Sequence, residues 1–401
     1  MTEIKISRNR LLETLMRLRH VFYKKNALPI LNDYMFELEG STIKVYVCDG
    51  ELVASETFTI TDDAVTSDKE PRKSWCVNRH YIVPGLRSLD EQEITMQVTD
   101  YQLIVLHSCG FFMMPIDDAN EYPCNPQNFI NRWGFPVEPY LLTLETPGLR
   151  HWLDILRPSL AQDELRPVMN GIFFDCTPDG LSLCASDGHK LVRIRKSSIS
   201  TRESTCFIMP RKVVNMLSCI MPKTGMLNFF FTPYTDDTIS VGQIKMKLEE
   251  DTEHELTIYF RGIEGRYPNY NSVIPENYDK NVSVDRIQLI KSVNRAMLFC
   301  NDSNMMARFS IYNGKIQINA KDDDFEIGSD ENVPCQTNCI NGLPVTIGLK
   351  TNSIMDLIKK VTASRILIKF SDPSRCIIIE PDPQPEVENL TLLCMPMYIN
   401  D

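Results

Sequence analysis

No stretch of this 401-residue chain approaches the roughly 18 apolar residues that a membrane-crossing helix needs. The first residues, MTEIKISRNRLLETL, are charged from the third position and contain no long apolar core, so no secretory leader is expected. The 13 cysteines are an odd number without the rhythm of a disulfide scaffold. They point to a reducing, cytoplasmic setting with free thiols. Cys335 and Cys339, the closest pair, have no second pair or histidine beside them, so neither zinc nor any other metal or cofactor is expected. Signatures of nucleotide binding and hydrolysis are missing too: there is no GxxxxGKS/T, no GxGxxG after a strand, no HExxH and no GxSxG.

Positive charge is also scarce. The chain has 42 Lys and Arg against 53 Asp and Glu, a net charge of −11. A surface basic enough to bind nucleic acid tightly over its whole area is thereby excluded. The total does not say where the charges sit. Hydrophobic residues at 43% and charged residues at 24% exclude a disordered or fibrous chain. The length predicts two to four domains.

What the chain does contain is a weak internal repeat spaced by roughly 135–140 residues, a domain-sized period. The helical pattern of Ser7–Lys25 leads into NDYMFELEGSTIKVYVCDGELVASETFTI, where apolar and polar residues alternate as in a half-buried hairpin. The same order recurs from Thr146 and again from Asp285. Glu39-Gly40, Asp179-Gly180 and Asn313-Gly314 occupy matching turns. A second helix is predicted in each unit, from Asn78, Pro210 and Lys350, and further strands close it. Pro-, Asn- and Asp-rich stretches separate the units, giving domains over 1–138, 139–272 and 273–401.

Helical periodicity locates the charge. Leu11, Leu15, Leu18 and Phe22 form one apolar stripe, while Arg10, Arg17, His20 and Lys24 share the opposite side. Over the six predicted helices the net charge is roughly +13, leaving about −24 elsewhere. Such a basic helical surface suits sequence-neutral contact with duplex phosphates. No zinc-finger spacing or stacking-aromatic motif accompanies it.

A catalytic alternative rests on Cys184, Asp187 and His189 in CASDGHK, which could be imagined as a nucleophile with a base. Residues five apart on a strand face opposite sides, and Asp187-Gly188 reads as a turn, so catalysis is not the preferred reading. Asp322-Asp323-Asp324 reads as a solvated or interface-facing acidic run rather than a metal site.

Several segments resemble the bacterial DNA polymerase III beta subunits, the sliding clamps: RPVMNGIFFD (Arg166–Asp175), ASDGHKLVRIR (Ala185–Arg195), GRYPNYNSVIP (Gly265–Pro275) and the terminal MPM (Met395–Met397). ALPILND (27–33) is similar to the same family's first-domain segment. The resemblance spans essentially the whole chain. It implies an α+β fold of three repeated domains, helices on the inner face and sheets outside, and a homodimer closed head to tail into a ring around duplex DNA. It also implies a processivity factor that hydrolyses nothing and is opened by a clamp loader. Such a factor tethers the replicative DNA polymerase and other replication and repair proteins bearing a clamp-binding motif.

Carried over by motif, the resemblance implies a partner-peptide pocket of Met169, Ser186, Gly188, His189, Lys190, Leu191, Pro268, Val273, Met395, Pro396 and Met397. For DNA contact, the basic residues expected are Arg10, Arg17, Lys24, Lys25, Arg150, Arg157, Arg211, Lys212, Arg295, Lys359 and Lys360. The chain departs from the family at Lys190, where Arg is usual, and in its Tyr398-Ile399-Asn400-Asp401 tail. At the subunit interface, Asp322, Asp323, Asp324 and Glu326 supply an acidic half, but only Arg79 and His107 answer it. A more hydrophobic interface through Phe112, Met297 and Leu298 is therefore expected. The rivals are a non-replicative nucleic-acid scaffold and a cytosolic hydrolase using the Cys184 region.

Overall fold

The structure, a computed structural model, describes residues 1–22, 28–67, 72–123, 140–232, 240–248, 254–338 and 344–399. The chain divides into two compact units, one of Met1–Arg150 with Asn215–Gly262 and one of His151–Val214 with Ile263–Asp401. The described residues hold six α-helices: α1 (Arg8–Leu18), α2 (Arg79–Arg87), α3 (Thr146–Leu156), α4 (Arg211–Ile220), α5 (Arg286–Met297) and α6 (Thr351–Ile358). Their starts follow the sequence reading. The Asn78 side chain caps α2 by accepting from the His80 N–H, and Asp285 caps α5 by accepting from Gln288 N–H.

The helices stop earlier than the sequence patterns extend, and two of them show why. In α1 the buried stripe Leu11, Leu15 and Leu18 is as predicted, but the chain then tightens into a 3-10 turn, Arg19–Val21, that drives Val21 into the core. Phe22 leaves the helix and meets the Tyr34 ring edge-on at 5.0 Å. Likewise α6 ends at Ile358, and the buried Val361 turns inward beyond it.

One tie recurs in all three repeats. The backbone N–H at the start of each first helix donates to a carbonyl just beyond the second helix: Arg8 to Gln92, Thr146 to Gly225 and Arg286 to Ser364. An arginine reinforces it each time. Arg8 Nε donates to Leu86 O at 2.8 Å, Arg286 Nε to Ala363 O at 2.8 Å, and Arg150 Nη1 to Ser218 O at 3.2 Å. Each time a cationic donor reaches a carbonyl in the last turn of the second helix or in the segment just after it.

The first unit contains a five-stranded sheet ordered Val65–Ser67, Thr2–Ser7, Glu93–Val98, Gln102–His107, Gly110–Pro115. Its eight-stranded sheet is continuous across the joint between Glu255–Arg261 and Leu52–Thr59, in register from Glu255↔Thr57 to Phe260↔Leu52. The second unit has one twelve-stranded sheet, with an equivalent joint between Lys190–Lys196 and Glu388–Cys394. Each joint therefore pairs the last strand of one repeat with the hairpin strand of the repeat before it. One strand of each kind is left over. Gly110–Pro115 is an edge strand, and Ile327–Thr337 pairs on its second side only through residues 335–337.

Among the described residues ten cysteines are free thiols, seven of them buried. Cys48 is disulfide-bonded, a departure from the expectation of free thiols throughout.

Candidate nucleic-acid, peptide and self-association surfaces

The basic residues expected to touch phosphate have varied surroundings. Arg10 Nη1 lies 3.0 Å from His254 Nδ1, and its guanidinium sits 5.7 Å over the Phe58 ring. Arg17 donates to Glu56 Oε1, which also accepts from Thr14 at 2.6 Å and meets His254 Nε2 at 2.7 Å. Burial pushes the Glu56 carboxyl up, but hydrogen bonds from His254 and Arg17 and the arginine's charge outweigh it and hold the group below the usual range. Arg150 is committed to carbonyls at the end of α4: those of Ser218, Met221 and Pro222. Arg157 and Lys360 both reach Asp154, at 3.7 and 3.0 Å. Arg211 donates to Leu160 O. Lys212 is half-buried, and burial pulls its ammonium down to about 8. Arg295 donates to Glu331 at 2.8 Å. Lys359 is exposed at the end of α6, as are Arg19 and Lys291, which the sequence reading did not single out. Lys24 and Lys25 lie outside the described residues.

The residues expected to form the peptide pocket share the second unit. Met169, Ser186, Lys190 and Leu191 are buried, whereas Gly188, His189, Pro268, Val273 and Met395 are exposed. In the loop between them Asp187 Oδ1 accepts from the backbone N–H of both His189 and Lys190 at 2.9 Å. Gly188 turns at φ +88, and a Cβ there would lie 2.9 Å from Arg166 Nη1. The buried Lys190 ammonium is neutralised by Asp356 and lies 3.7 Å from Asp187. Leu191, Tyr267, Tyr270, Cys376 and Leu393 belong to one buried apolar cluster, with Tyr267 stacked on Phe173 at 4.7 Å. The tail is held at two points: Met395 N–H donates to His189 O and Met397 N–H to Gly348 O, both at 2.8 Å. Asp356, Cys376 and Gly348 escaped the sequence reading. Only Gly348, a glycine inside the alternating strand VTIGLK, carried a readable signal.

Along the free edge Gly110–Pro115, Phe112 packs on α2, where a Cβ at Gly85 would come within 2.8 Å of its ring. The His107 ring is 6.0 Å from that of Phe112, and the Arg79 guanidinium covers Phe22 at 4.5 Å. Phe111 and Met113, also unremarked in the sequence, are exposed beside them. In the second unit Leu298 and Phe325 are 73% and 74% exposed, and Met297 is half-buried. The acidic run behaves unevenly. Asp322 is only 3% exposed and anchors its own loop by accepting from Asn301 Nδ2 and Asp324 N–H. Asp323 pairs with Lys321, Asp324 accepts from Asn301, and Glu326 turns at φ +56. A run that read as uniformly available thus contains one buried anchor.

Three family models cover the chain in order: DNA polymerase III beta subunit N-terminal domain over residues 2–126, central domain over 143–269 and C-terminal domain over 271–398. The chain belongs to the DNA polymerase III beta subunit family. The beta sliding clamp of Haemophilus influenzae is 23% identical over 389 residues, covering 94% of this chain and 95% of that protein. A DNA polymerase sliding clamp of Pseudomonas aeruginosa solved with a ligand matches 100% of both chains, with a TM-score of 0.83 and 21% identity. A sliding clamp of the same organism bound to griselimycin covers 99% of this chain and 100% of that one, at TM-score 0.82 and 21% identity.

Within this beta-subunit fold the hydrolase alternative loses its chemistry. Cys184 is fully buried, and burial pushes its thiol up to about 12, so it carries no nucleophilic thiolate. Asp187 spends its carboxylate on the turn. His189 is exposed on that turn.

Proposed function

We propose that this chain is a DNA sliding clamp, a processivity factor rather than an enzyme. Its three domains, 1–138, 139–272 and 273–401, are repeats of one design. Two copies join head to tail into a ring that encloses duplex DNA without reading its sequence. The reading is carried by the two leftover strands. Each chain makes two joints of one type and retains one strand of each kind with a free side, Gly110–Pro115 and the 327–333 stretch. A second copy supplies the missing partner for both, which also removes two exposed edges.

The exposed apolar residues beside those edges, Phe111, Met113, Leu298 and Phe325, support a seam held mainly by burial. Enclosure explains how a chain of net charge −11 stays on DNA. Lys359 and the basic residues of the helices give weak, mobile phosphate contact, and topology provides retention. The apolar cluster around Leu191 and Leu393, rimmed by Val273, Pro268 and Met395, is the docking place for short peptides of the replicative polymerase, the clamp loader and repair proteins. Griselimycin, which the P. aeruginosa clamp binds in its crystal, is a suitable probe. Sedimentation equilibrium tests the pairing: a species of twice the chain's mass is expected, and a monomer at every concentration would refute it.

A further inference from the structure

Gly348 lies on the strand Val345–Lys350, which closes the twelve-stranded sheet at its edge. Its neighbours Ile347 and Leu349 point into the core and are buried, so Gly348 faces the other way. Unlike Gly188 or Gly314, it has no left-handed φ. Glycine is not needed there for backbone conformation, and in a strand interior it is a poor choice. What it provides is room. A Cβ at this position would lie 2.8 Å from Met397 O, 2.8 Å from Ile399 Cγ1 and 3.3 Å from Met306 Sδ.

The tail uses that room. After the strand Glu388–Cys394 the chain makes one more bond, Met395 N–H to His189 O, and passes Pro396, which has no N–H to give. It is then pinned a second time, where Met397 N–H donates to Gly348 O in an isolated antiparallel bridge. The two pins belong to different repeats. Between them they fix Met395 and Met397, the last wall of the proposed peptide pocket. Met397 and Tyr398 also line a cavity of about 740 Å³ with Asn304, Met306, Arg308 and Lys321.

We propose that Gly348 is a positioning residue for partner-peptide binding. By lacking a side chain it lets the tail dock on the sheet edge, and the docked tail presents Met395 and Met397 to the peptide. The inference rests on the clamp reading of the pocket. It predicts that affinity depends on a residue that belongs to the sheet edge under the tail rather than to the pocket rim.

Gly348→Val suits the test, because an edge strand accepts valine while the backbone oxygen of Met397 cannot yield as a flexible side chain would. Amide exchange of the C-terminal fragment containing Met395–Met397 should rise at least ten-fold, with the exchange of the strand Met306–Tyr312 and the melting temperature unchanged. Griselimycin affinity should fall about ten-fold, because a wall no longer held in place must be ordered on binding. Met397→Pro removes the same pin from the tail side without touching the sheet, so it serves if the valine variant folds poorly. It should give the same rise in tail exchange; its affinity is not compared, because Met397 is itself a wall of the proposed pocket. Unaltered tail exchange in both variants would overturn the inference, as would faster exchange with undiminished affinity. Truncation at Cys394 separates the two levels: if it leaves griselimycin binding intact, the pocket reading fails, whereas the exchange measurement still decides whether Gly348 docks the tail.

Discussion

His254 Nε2 sits 2.7 Å from Glu56 Oε1, a carboxylate with no exposed surface, at the joint where Glu255–Arg261 pairs with Leu52–Thr59. Arg17 and Thr14 bring α1 to the same oxygen. Two residues 198 apart in sequence thus weld strands of successive repeats, and part of the basic face of α1 is engaged there.

Removing that carboxylate leaves buried cationic and polar partners uncompensated. Glu56→Ala should cost about 3–5 kcal/mol of stability in the first unit, read by urea unfolding. The folded-state pKa of Glu56 lies below its unfolded value, so its contribution is present above the unfolded pKa and is lost as pH falls through the folded one. Acid unfolding of Glu56→Gln should be correspondingly shallower than that of the parent. Identical acid profiles would contradict the assignment.

Arg150 and Lys359 should separate cleanly. Arg150 spends its donors on the carbonyls of Ser218, Met221 and Pro222, so Arg150→Ala should lower stability by roughly 1–3 kcal/mol. The exposed Lys359→Ala should leave melting unchanged and reduce the salt slope of DNA binding by about one. The reverse pattern would show that the two roles are exchanged.

Lys212 should give DNA binding a pH dependence. With its ammonium pulled down to about 8 by burial, it is charged at pH 7 and largely neutral at pH 9. Affinity for nicked circular duplex at low salt should fall across that interval. Lys212→Arg should abolish the fall, because arginine keeps its charge. A fall of equal size in the arginine variant would assign it to another group.

The seam between copies should resist salt. Phe111, Met113, Leu298 and Phe325 are apolar, and Asp322 is buried in its own loop. Raising NaCl from about 0.1 to 1 M, which shortens the screening length from about 10 to 3 Å, should therefore change the dimer dissociation constant less than three-fold. Phe111→Asp with Met113→Asp should raise it more than a hundred-fold. A steep increase with salt in the parent would mean that ion pairs hold the seam.

Much of this was legible in the sequence. The Leu11, Leu15 and Leu18 stripe, the helix starts at Asn78 and Asp285 and the alternating hairpins are local patterns, and each became the element it implied. What was not legible depends on partners distant in sequence. Arg8, Arg150 and Arg286 look like free cations until the second helix of each repeat, about 70–80 residues on, presents its carbonyls. Asp322 is indistinguishable from Asp323 in a run of three until Asn301 and the loop fold around it. Gly348 shows its purpose only when the tail lies across it. The two leftover strands emerge from register alone, once both internal joints are seen to be of one kind.

Retention on closed and opened DNA tests the central claim most directly. The chain is loaded with a clamp loader onto nicked circular duplex, separated from free protein by gel filtration, and the DNA is then cut once. Enclosure predicts that the protein elutes with circular DNA and is lost within minutes of linearisation. Protein that stays bound after the cut would contradict the ring.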